Sequence, residues 1–157
     1  MVLRRGSGGR RSSSTASLSA AQPSLPKAAD LASDGAAMRA AKMPMVVLYS
    51  QAGCGYCDEA RTYLVPMARD PANAQRALFR QVDIDSDAAL TDFAGKQTTH
   101  RNLAARLGAK FTPTVSVLDA EGRTLGEAII GMRLPDFYGQ YVDNAIDDAR
   151  AALAAKP

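Results

Sequence analysis

A buried strand that runs directly into two closely spaced cysteines is the feature that most constrains the fold of this chain. Residues 45–49 are continuously apolar and include two β-branched side chains, which predicts a strand covered on both faces. After a short loop, Cys54 and Cys57 open a segment with apolar residues at helical spacing, which predicts a helix over residues 54–68. Pro66 lies deep in this segment and predicts a kink or an early end. The pattern therefore predicts a Cys-X-X-Cys pair at the start of a helix that follows a sheet strand.

Apolar periodicity predicts the remaining elements as an alternation of strands and helices. Residues 134–149 repeat apolar side chains at i, i+3, i+4 and i+7, which is typical of an amphipathic helix that covers a sheet. A turn ending in Gly122 indicates an antiparallel hairpin. The predicted strands are 78–84, 114–118 and 124–130, and the other predicted helices are 27–42, broken near Gly35, and 102–108, capped by Asn102. The order predicts an α/β fold with a central mixed sheet of about four to five strands and helices on both faces.

The composition, with 46% hydrophobic and 22% charged residues in 157, is that of one globular domain. The net charge of +3 is unevenly distributed, because residues 1–29 hold five basic and no acidic residues, which leaves residues 30–157 with a net charge of −2. We therefore predict no nucleic-acid partner for the folded part. The chain contains no run of roughly 18 apolar residues, so we predict no membrane span.

The sequence predicts an N-terminal tail at residues 1–29 and a separate domain at residues 30–157. The tail is rich in arginine and serine and free of acidic residues. This composition fits a disordered tail, a mitochondrial-type transit peptide, or sequence that stands in place of a true export signal. Its leucines are isolated, so it lacks the apolar stretch of about 7–15 residues that a secretory signal needs.

The spacing of Cys54 and Cys57 suits thiol-disulfide exchange. This chemistry needs one exposed, ionised thiol and a second thiol close enough to expel the first from a mixed disulfide. Backbone N–H groups and the dipole at the helix N-terminus stabilise a thiolate at Cys54, the predicted nucleophile, whereas Cys57 is the predicted resolving thiol. Asp58 and Glu59 oppose the dipole, because their charges disfavour a nearby thiolate. The two sulfurs carry this chemistry alone, so we expect no cofactor and no resident metal.

Two other interpretations of the cysteine pair are a structural disulfide and half of a metal site. A disulfide that closes so small a loop stabilises a fold by only about 2 kcal/mol. A zinc site needs four donors, and the sequence offers one histidine, His100, besides the two cysteines. We expect His100, in a polar loop, to be solvated rather than catalytic.

Pro113 is the second informative residue, because it directly precedes a predicted strand, where proline is confined to the start or an edge. One interpretation is a simple strand-initiating proline. The other is a cis-proline packed against the disulfide, which exposes the Thr112 backbone to an extended substrate strand.

Over residues 44–150 the chain resembles the thioredoxin family. The resemblance is carried by the strand that leads into the cysteines, by the strand ending at residues 82–85, by residues 107–114 and by Gly131 after the last strand. It implies the thioredoxin fold, protein thiol and disulfide substrates, and a separate redox partner. The implied site residues are nucleophilic Cys54, resolving Cys57, and substrate-binding Gly55, Tyr56, Thr112 and cis Pro113.

Departures from the family's pattern indicate which kind of thioredoxin-like protein the chain resembles. Thioredoxins themselves have a buried aspartate on the first strand and a tryptophan before the first cysteine, where this chain has Leu48 and Gly53. The dipeptide Gly55-Tyr56 and Thr112 are similar to the corresponding positions of bacterial periplasmic disulfide isomerases. The chain as a whole is similar to single-domain thioredoxin-like proteins exported to the proteobacterial periplasm, which implies a periplasmic location, with cytoplasmic and mitochondrial locations as alternatives.

The predicted function is a protein thiol-disulfide oxidoreductase, with the reductase, oxidase and isomerase directions all open. One alternative is a glutathione-linked, glutaredoxin-like reductase, because Tyr56 also occurs before the second cysteine in that family. The other is a non-enzymatic metal-binding or chaperone module that uses the thiols as ligands. Residues 87–102 form a segment longer than the family's loop, and we expect a surface insertion there, with an effect on partner choice as the alternative. No dimerisation heptad is visible, so we expect a monomer.

Overall fold

The computed structural model describes residues 23–156, so most of the predicted tail lies outside the described residues. The strands are β1 (Met45–Ser50), β2 (Leu78–Asp83), β3 (Ala89–Thr91), β4 (Gln97–Thr99), β5 (Thr114–Leu118) and β6 (Ile129–Ile130). The helices are α1 (Leu31–Ala41), α2 (Gly55–Arg69), α3 (Pro71–Ala74), α4 (His100–Arg106) and α5 (Tyr138–Ala154), with a 3-10 helix at Pro135–Phe137. This order confirms the predicted α/β class.

The central sheet is mixed and has four strands in the order β2-β1-β5-β6. β1 is parallel to β2 and antiparallel to β5, which in turn is antiparallel to β6. A separate two-stranded sheet is formed by β3 and β4. β1 therefore lies in the middle of the sheet, and the loop that follows it emerges beside the loop that precedes β5.

Alternation along β1 divides the hydrophobic core between the two faces of the sheet. Val46 and Leu48 belong to the cluster formed with α2 and α5. Met45, Val47 and Tyr49 belong to the cluster formed with α1 and α4. All residues of β1 are buried, which confirms the prediction of a strand covered on both faces.

Gly35 does not break the first helix, contrary to the prediction. α1 runs uninterrupted and is capped by Asp30, whose side chain accepts a hydrogen bond from the Ser33 N–H. Gly35 is buried, and a Cβ placed on it would lie 2.6 Å from the carbonyl oxygen of Ala120. The glycine therefore permits close packing of α1 against the turn after β5 and does not terminate the helix.

Two other helix boundaries also differ from the sequence prediction. α4 begins at His100, because the Thr99 hydroxyl accepts a hydrogen bond from the Asn102 N–H and caps the helix. Asn102 is thus inside the helix rather than its cap. α2 continues past Pro66 to Arg69, since a proline removes only one backbone donor and the partly buried Met67 and Ala68 pack against the core. The early end predicted at Pro66 is therefore wrong, and the kink stays a prediction.

The strand predicted at residues 124–130 is shorter in the structure. β6 has two residues, and upstream of it a single bridge joins Thr124 to Leu118. Gly126 has a φ of 80°, which an extended strand does not use, and this conformation interrupts the pairing. The antiparallel direction of the hairpin is as predicted.

The turn after β5 is held by the buried carboxylate of Asp119. It accepts hydrogen bonds from the N–H groups of Glu121 at 3.0 Å and Arg123 at 2.8 Å, and from Arg123 Nε at 2.9 Å. Burial by itself raises the pKa of Asp119, but the hydrogen bonds from the Arg123 side chain and the two backbone groups outweigh burial, so the pKa is lower than usual. The turn that carries Ala120 is therefore firmly fixed.

Residues 87–102 contain the β3–β4 hairpin and are anchored in the core. Leu90 is buried, and the Thr91 N–H donates to the carbonyl oxygen of Ala29 at 2.8 Å. We expected a surface insertion here, and this expectation is wrong for β3, because Leu90 on one face of this strand packs into the core. An effect of this hairpin on partner choice stays a prediction.

Residues 25–30 run along the outer edge of β2. Leu25 and Ala28 are each 2% exposed. The Gln81 N–H donates to the carbonyl oxygen of Pro26 at 2.8 Å, and the Ala28 N–H donates to the carbonyl oxygen of Gln81 at 2.9 Å. Ordered packing thus begins a few residues before position 30, and the domain division at that position stays a prediction.

Candidate active site

Cys54 and Cys57 lie at the N-terminus of α2, directly after the loop that follows β1. Gly53, with a φ of 73°, makes the turn into the helix, and exposed Gly55 is its first residue. Cys54 is the N-cap, and its Sγ accepts a hydrogen bond from the Cys57 N–H at 3.1 Å. The two cysteines form a disulfide, in which Cys54 is partly exposed and Cys57 is fully buried. The sulfur that can be reached is thus also the one next to a helix N–H group.

Thr112 contacts the disulfide from the loop that leads through Pro113 into β5. The Thr112 hydroxyl donates to Cys54 Sγ at 3.5 Å. The Thr112–Pro113 peptide bond is cis, and Pro113 is buried. Because β5 is antiparallel to β1, the loop before β5 lies at the same end of the sheet as the loop after β1. The fold therefore brings the cysteine pair and the Thr-Pro pair into one site.

Exposed apolar side chains flank this site. Tyr56, between the cysteines, is 65% exposed, and Phe111, next to Thr112, is 66% exposed. Ile130 on β6 is 52% exposed and lies beside Gly131, whose N–H donates to the carbonyl oxygen of Pro113 at 2.8 Å. An exposed sulfur bordered by apolar surface suits contact with another polypeptide.

Arg61 lies on α2 four residues after Cys57, on the side of the helix that faces β1 and β2. Its side chain is only 14% exposed. Nη1 donates to Ser50 Oγ at 2.9 Å and lies 3.5 Å from Gln81 Oε1, while Nη2 donates to Asp58 Oδ1 at 2.5 Å. The guanidinium therefore joins the end of β1 to the first turn of α2. Arg61 is not among the site residues predicted from the sequence, where its i+4 spacing from Cys57 was the available signal.

Asp85 fixes the loop that leads to the cysteines. Its Oδ2 accepts a hydrogen bond from the Ala52 N–H at 3.1 Å. Its own carbonyl oxygen accepts from Arg101 Nη2 at 2.9 Å, so α4 holds Asp85 in turn. Asp85 belongs to the strand ending at residues 82–85 noted in the sequence, and this positioning contact is not predicted by that pattern.

His100 is buried, which contradicts the expectation of a solvated residue. Its side chain is enclosed, with 3% of the residue exposed. Nδ1 accepts a hydrogen bond from the Asp83 N–H at 3.1 Å, so Nε2 carries the proton and donates to the carbonyl oxygen of Ala28 at 2.9 Å. The expectation is wrong because the polar neighbours of His100 along the chain face outward, whereas the imidazole turns inward. The histidine joins β2 to the N-terminal segment.

Asp83 carries an ion pair with Lys27 at the end of β2. Its carboxylate accepts hydrogen bonds from Lys27 Nζ and, at 2.8 Å, from Gln81 Nε2. Burial by itself raises the pKa of Asp83, but these two hydrogen bonds and the charge of Lys27 outweigh burial, so the pKa lies below its usual value. The negative charge of Asp83 is therefore compensated locally.

Within residues 23–156, no three or more His, Cys, Asp and Glu side chains are grouped so as to hold a metal ion. None of the helices in this range combines the length and apolar character that crossing a bilayer requires.

Solved structures with a similar fold are thioredoxins. The thioredoxin of Fasciola hepatica is 15% identical, with a TM-score of 0.54 over 78% of this chain and 97% of that one. Thioredoxin f from spinach chloroplast is 19% identical, with a TM-score of 0.53 over 80% and 96% of the two chains. Mitochondrial thioredoxin 3 from Saccharomyces cerevisiae is 16% identical, with a TM-score of 0.52 over 79% and 94%. At these identities the comparison establishes the thioredoxin fold.

No curated protein matches the chain. A family described as a thioredoxin-like domain matches residues 31–146, which is more than half of the chain and includes the cysteine pair and Pro113. The match, the fold and the Cys54–Cys57 disulfide together support thiol-disulfide oxidoreductase chemistry in general. The chain therefore belongs to the thioredoxin-like domain family.

Proposed function

We propose that this protein exchanges disulfides with protein substrates through Cys54 and Cys57. The observation that carries the proposal is the environment of Cys54. The residue is partly exposed, and its Sγ accepts hydrogen bonds from the Cys57 N–H at 3.1 Å and the Thr112 hydroxyl at 3.5 Å. Both donors stabilise negative charge on the sulfur once the disulfide is reduced. Buried Cys57 is held within bonding distance, ready to displace a substrate sulfur.

In the reducing direction, the Cys54 thiolate attacks one sulfur of a substrate disulfide. A bond forms between Cys54 Sγ and that sulfur, the substrate S–S bond breaks, and the second substrate sulfur leaves as a thiolate. Cys57 then loses its proton and attacks Cys54 Sγ, which releases the first substrate sulfur and forms the Cys54–Cys57 disulfide. Two electrons pass from the pair to the substrate. The proton that Cys54 released on ionising and the proton that Cys57 loses balance the two protons gained by the substrate thiolates. The reverse sequence oxidises a substrate dithiol.

Substrates bind, in this proposal, as extended segments along Thr112. Main-chain hydrogen bonds to the Thr112 backbone would supply affinity without demanding a particular sequence. A Cβ on Gly55 would meet no atom within 4 Å, so a substrate backbone has room beside Cys54. Tyr56 and Phe111 are largely exposed and offer apolar contact to residues that flank the substrate cysteine. Pro113 is the remaining residue to which the resemblance to thioredoxins assigns substrate binding.

Turnover of insulin or a small model disulfide tests the proposal. Cys54→Ser should abolish turnover, because it removes the nucleophile. Cys57→Ser should leave the first attack intact and accumulate mixed disulfides, which non-reducing electrophoresis and mass spectrometry detect. The two variants are matched, since each loses one sulfur and the internal disulfide. Full turnover by Cys54→Ser would overturn the proposal.

Two other results would replace the proposal. Saturable deglutathionylation with glutathione as the reductant, without turnover of protein disulfides, would assign a glutaredoxin-like activity. Stoichiometric zinc or copper in the purified protein, again without turnover, would assign a metal-binding module. The same preparations serve both measurements.

The proposal extends to a periplasmic monomer that is regenerated by a separate redox partner. Leu48 and Gly53, at positions where thioredoxins have aspartate and tryptophan, support a protein other than an ordinary cytosolic thioredoxin. Cell fractionation of the native host tests the location, and light scattering tests the monomer. The reduction potential of the Cys54–Cys57 pair, compared with that of the compartment, gives the direction of electron flow.

A further inference from the structure

We propose that Arg61 is a positioning residue that sets the reduction potential of the Cys54–Cys57 pair by neutralising Asp58 and favouring the thiolate form. The proposal rests on the function proposed above, because it concerns the same two sulfurs. It assigns to Arg61 no contact with substrate.

The geometry fixes the guanidinium under the first turn of α2. Arg61 follows Cys57 by four residues and Asp58 by three, and side chains at these spacings are neighbours on a helix surface. Nη1 is held by Ser50 Oγ at 2.9 Å, and Nη2 by Asp58 Oδ1 at 2.5 Å. Ser50 is the last residue of β1, so both anchors belong to the segment that carries the cysteines.

Burial makes this charge more effective than an exposed one. The Arg61 side chain is 14% exposed, whereas that of Asp58 is 58% exposed. Solvent and salt screen exposed charges more strongly than partly buried ones. The charge of Arg61 is therefore screened less by solvent than the charge of Asp58.

Other charged groups also lie near the first turn of α2. Lys27 and Asp83 form an ion pair with each other. Asp85 accepts the Ala52 N–H and so meets a backbone dipole. Glu59 adds a second acidic side chain to the start of α2. Within the first two turns of α2, Arg61 is therefore the cation that opposes the acidic residues next to the cysteines.

The sign of the effect follows from the charges of the two redox states. The disulfide is neutral, whereas the reduced pair carries a thiolate, so a nearby cation stabilises the reduced form and raises the reduction potential. Loss of Arg61 would leave Asp58 uncompensated beside the thiolate. Loss of Asp58 would leave Arg61 uncompensated, with the opposite effect.

Equilibration of the purified full-length protein with reduced and oxidised glutathione tests this sign. Arg61→Met should lower the equilibrium constant for reduction of the pair by roughly tenfold, which for a two-electron couple corresponds to a potential about 30 mV lower. Asp58→Asn should raise the constant several-fold, and the double variant should lie near the wild type. Ultraviolet absorbance of the thiolate during a pH titration should move to higher pH in Arg61→Met and to lower pH in Asp58→Asn.

Arg61→Lys is the matched control, because it keeps the charge and loses the bidentate geometry. A potential close to the wild type in this variant, with the shift seen only in Arg61→Met, supports an electrostatic role. Shifts of both single variants in the same direction, or a constant for Arg61→Met within twofold of the wild type, would overturn the proposal. If Arg61→Met does not fold, Arg61→Gln takes its place in the glutathione equilibration, and a constant within twofold of the wild type refutes the proposal.

Glutathione equilibration separates this proposal from the proposed function. A wild-type pair that equilibrates with glutathione but turns over no protein disulfide refutes the function, while the variant series still tests Arg61. Normal turnover with unchanged potentials in the variants refutes the role of Arg61 alone.

Discussion

Replacement of Gly35 by alanine tests the packing of α1 against the turn after β5. In an exposed helix this change stabilises, because alanine has a helix propensity about 1 kcal/mol better than that of glycine. At Gly35 the new Cβ would lie 2.6 Å from the carbonyl oxygen of Ala120, too close for any real contact. Either α1 or the turn has to move, and the turn is fixed by the hydrogen bonds of Asp119.

The two effects of Gly35→Ala oppose each other, and packing dominates. Overpacking in a firm environment costs about 2 kcal/mol, which exceeds the propensity gain of about 1 kcal/mol. We therefore expect a net loss of about 1 kcal/mol in the free energy of unfolding, and a melting temperature about 3–4 °C lower.

Urea unfolding followed by circular dichroism, together with a thermal melt, measures the effect of Gly35→Ala. Ala36→Gly on the exposed side of the same helix is the control, and we expect it to lose about 1 kcal/mol through propensity alone. A Gly35→Ala variant more stable than the wild type would refute the packing argument, because propensity would then be the only effect present.

Two further predictions concern buried polar groups. His100→Leu leaves the Asp83 N–H and the carbonyl oxygen of Ala28 without partners and should lower the unfolding free energy by about 2–4 kcal/mol, whereas His100→Gln can restore both bonds and should lose less; equal losses in urea unfolding would contradict this. Asp119→Asn removes a carboxylate with a lowered pKa, whose stabilising contribution is complete above the unfolded value of about 3.9 and is lost as the pH falls. The stability difference between wild type and Asp119→Asn should therefore shrink below about pH 4, and a difference constant from pH 7 to pH 3 would rule out the role of the charge.

The parts of the fold that the sequence predicted are those in which side-chain pattern and burial coincide. Residues 45–49 of β1 are all apolar because both faces of the strand are covered. The apolar residues of α5 recur at helical spacing because only one face of this helix is buried. The cysteine pair was predictable because its spacing, its preceding strand and its helix all lie within one short segment. Local pattern and tertiary environment agree in these regions.

The features that the sequence did not predict depend on partners distant along the chain. Gly35 has the local appearance of a helix breaker, and only the neighbouring carbonyl of Ala120 explains it. His100 has polar neighbours in sequence, yet its ring bonds groups on β2 and on the N-terminal segment. Arg61 has the appearance of an ordinary surface residue in the sequence, and only the fold shows its hydrogen bond to Ser50. In each case the deciding contact joins segments that no local pattern relates.

The segment that lies along β2 also bears on the behaviour of the protein at high concentration. An open strand edge is a template on which a second molecule can add its own backbone, and such pairing leads to aggregates. At Gln81 the outward N–H and C=O groups are already hydrogen-bonded to Pro26 and Ala28. A second molecule could pair with β2 only after residues 25–30 had dissociated from it. The opposite margin of the sheet is β6, whose two residues give an incoming strand little to copy. Both edges of the sheet therefore disfavour pairing with a second molecule, the β2 edge because residues 25–30 cover it and the β6 edge because β6 is short.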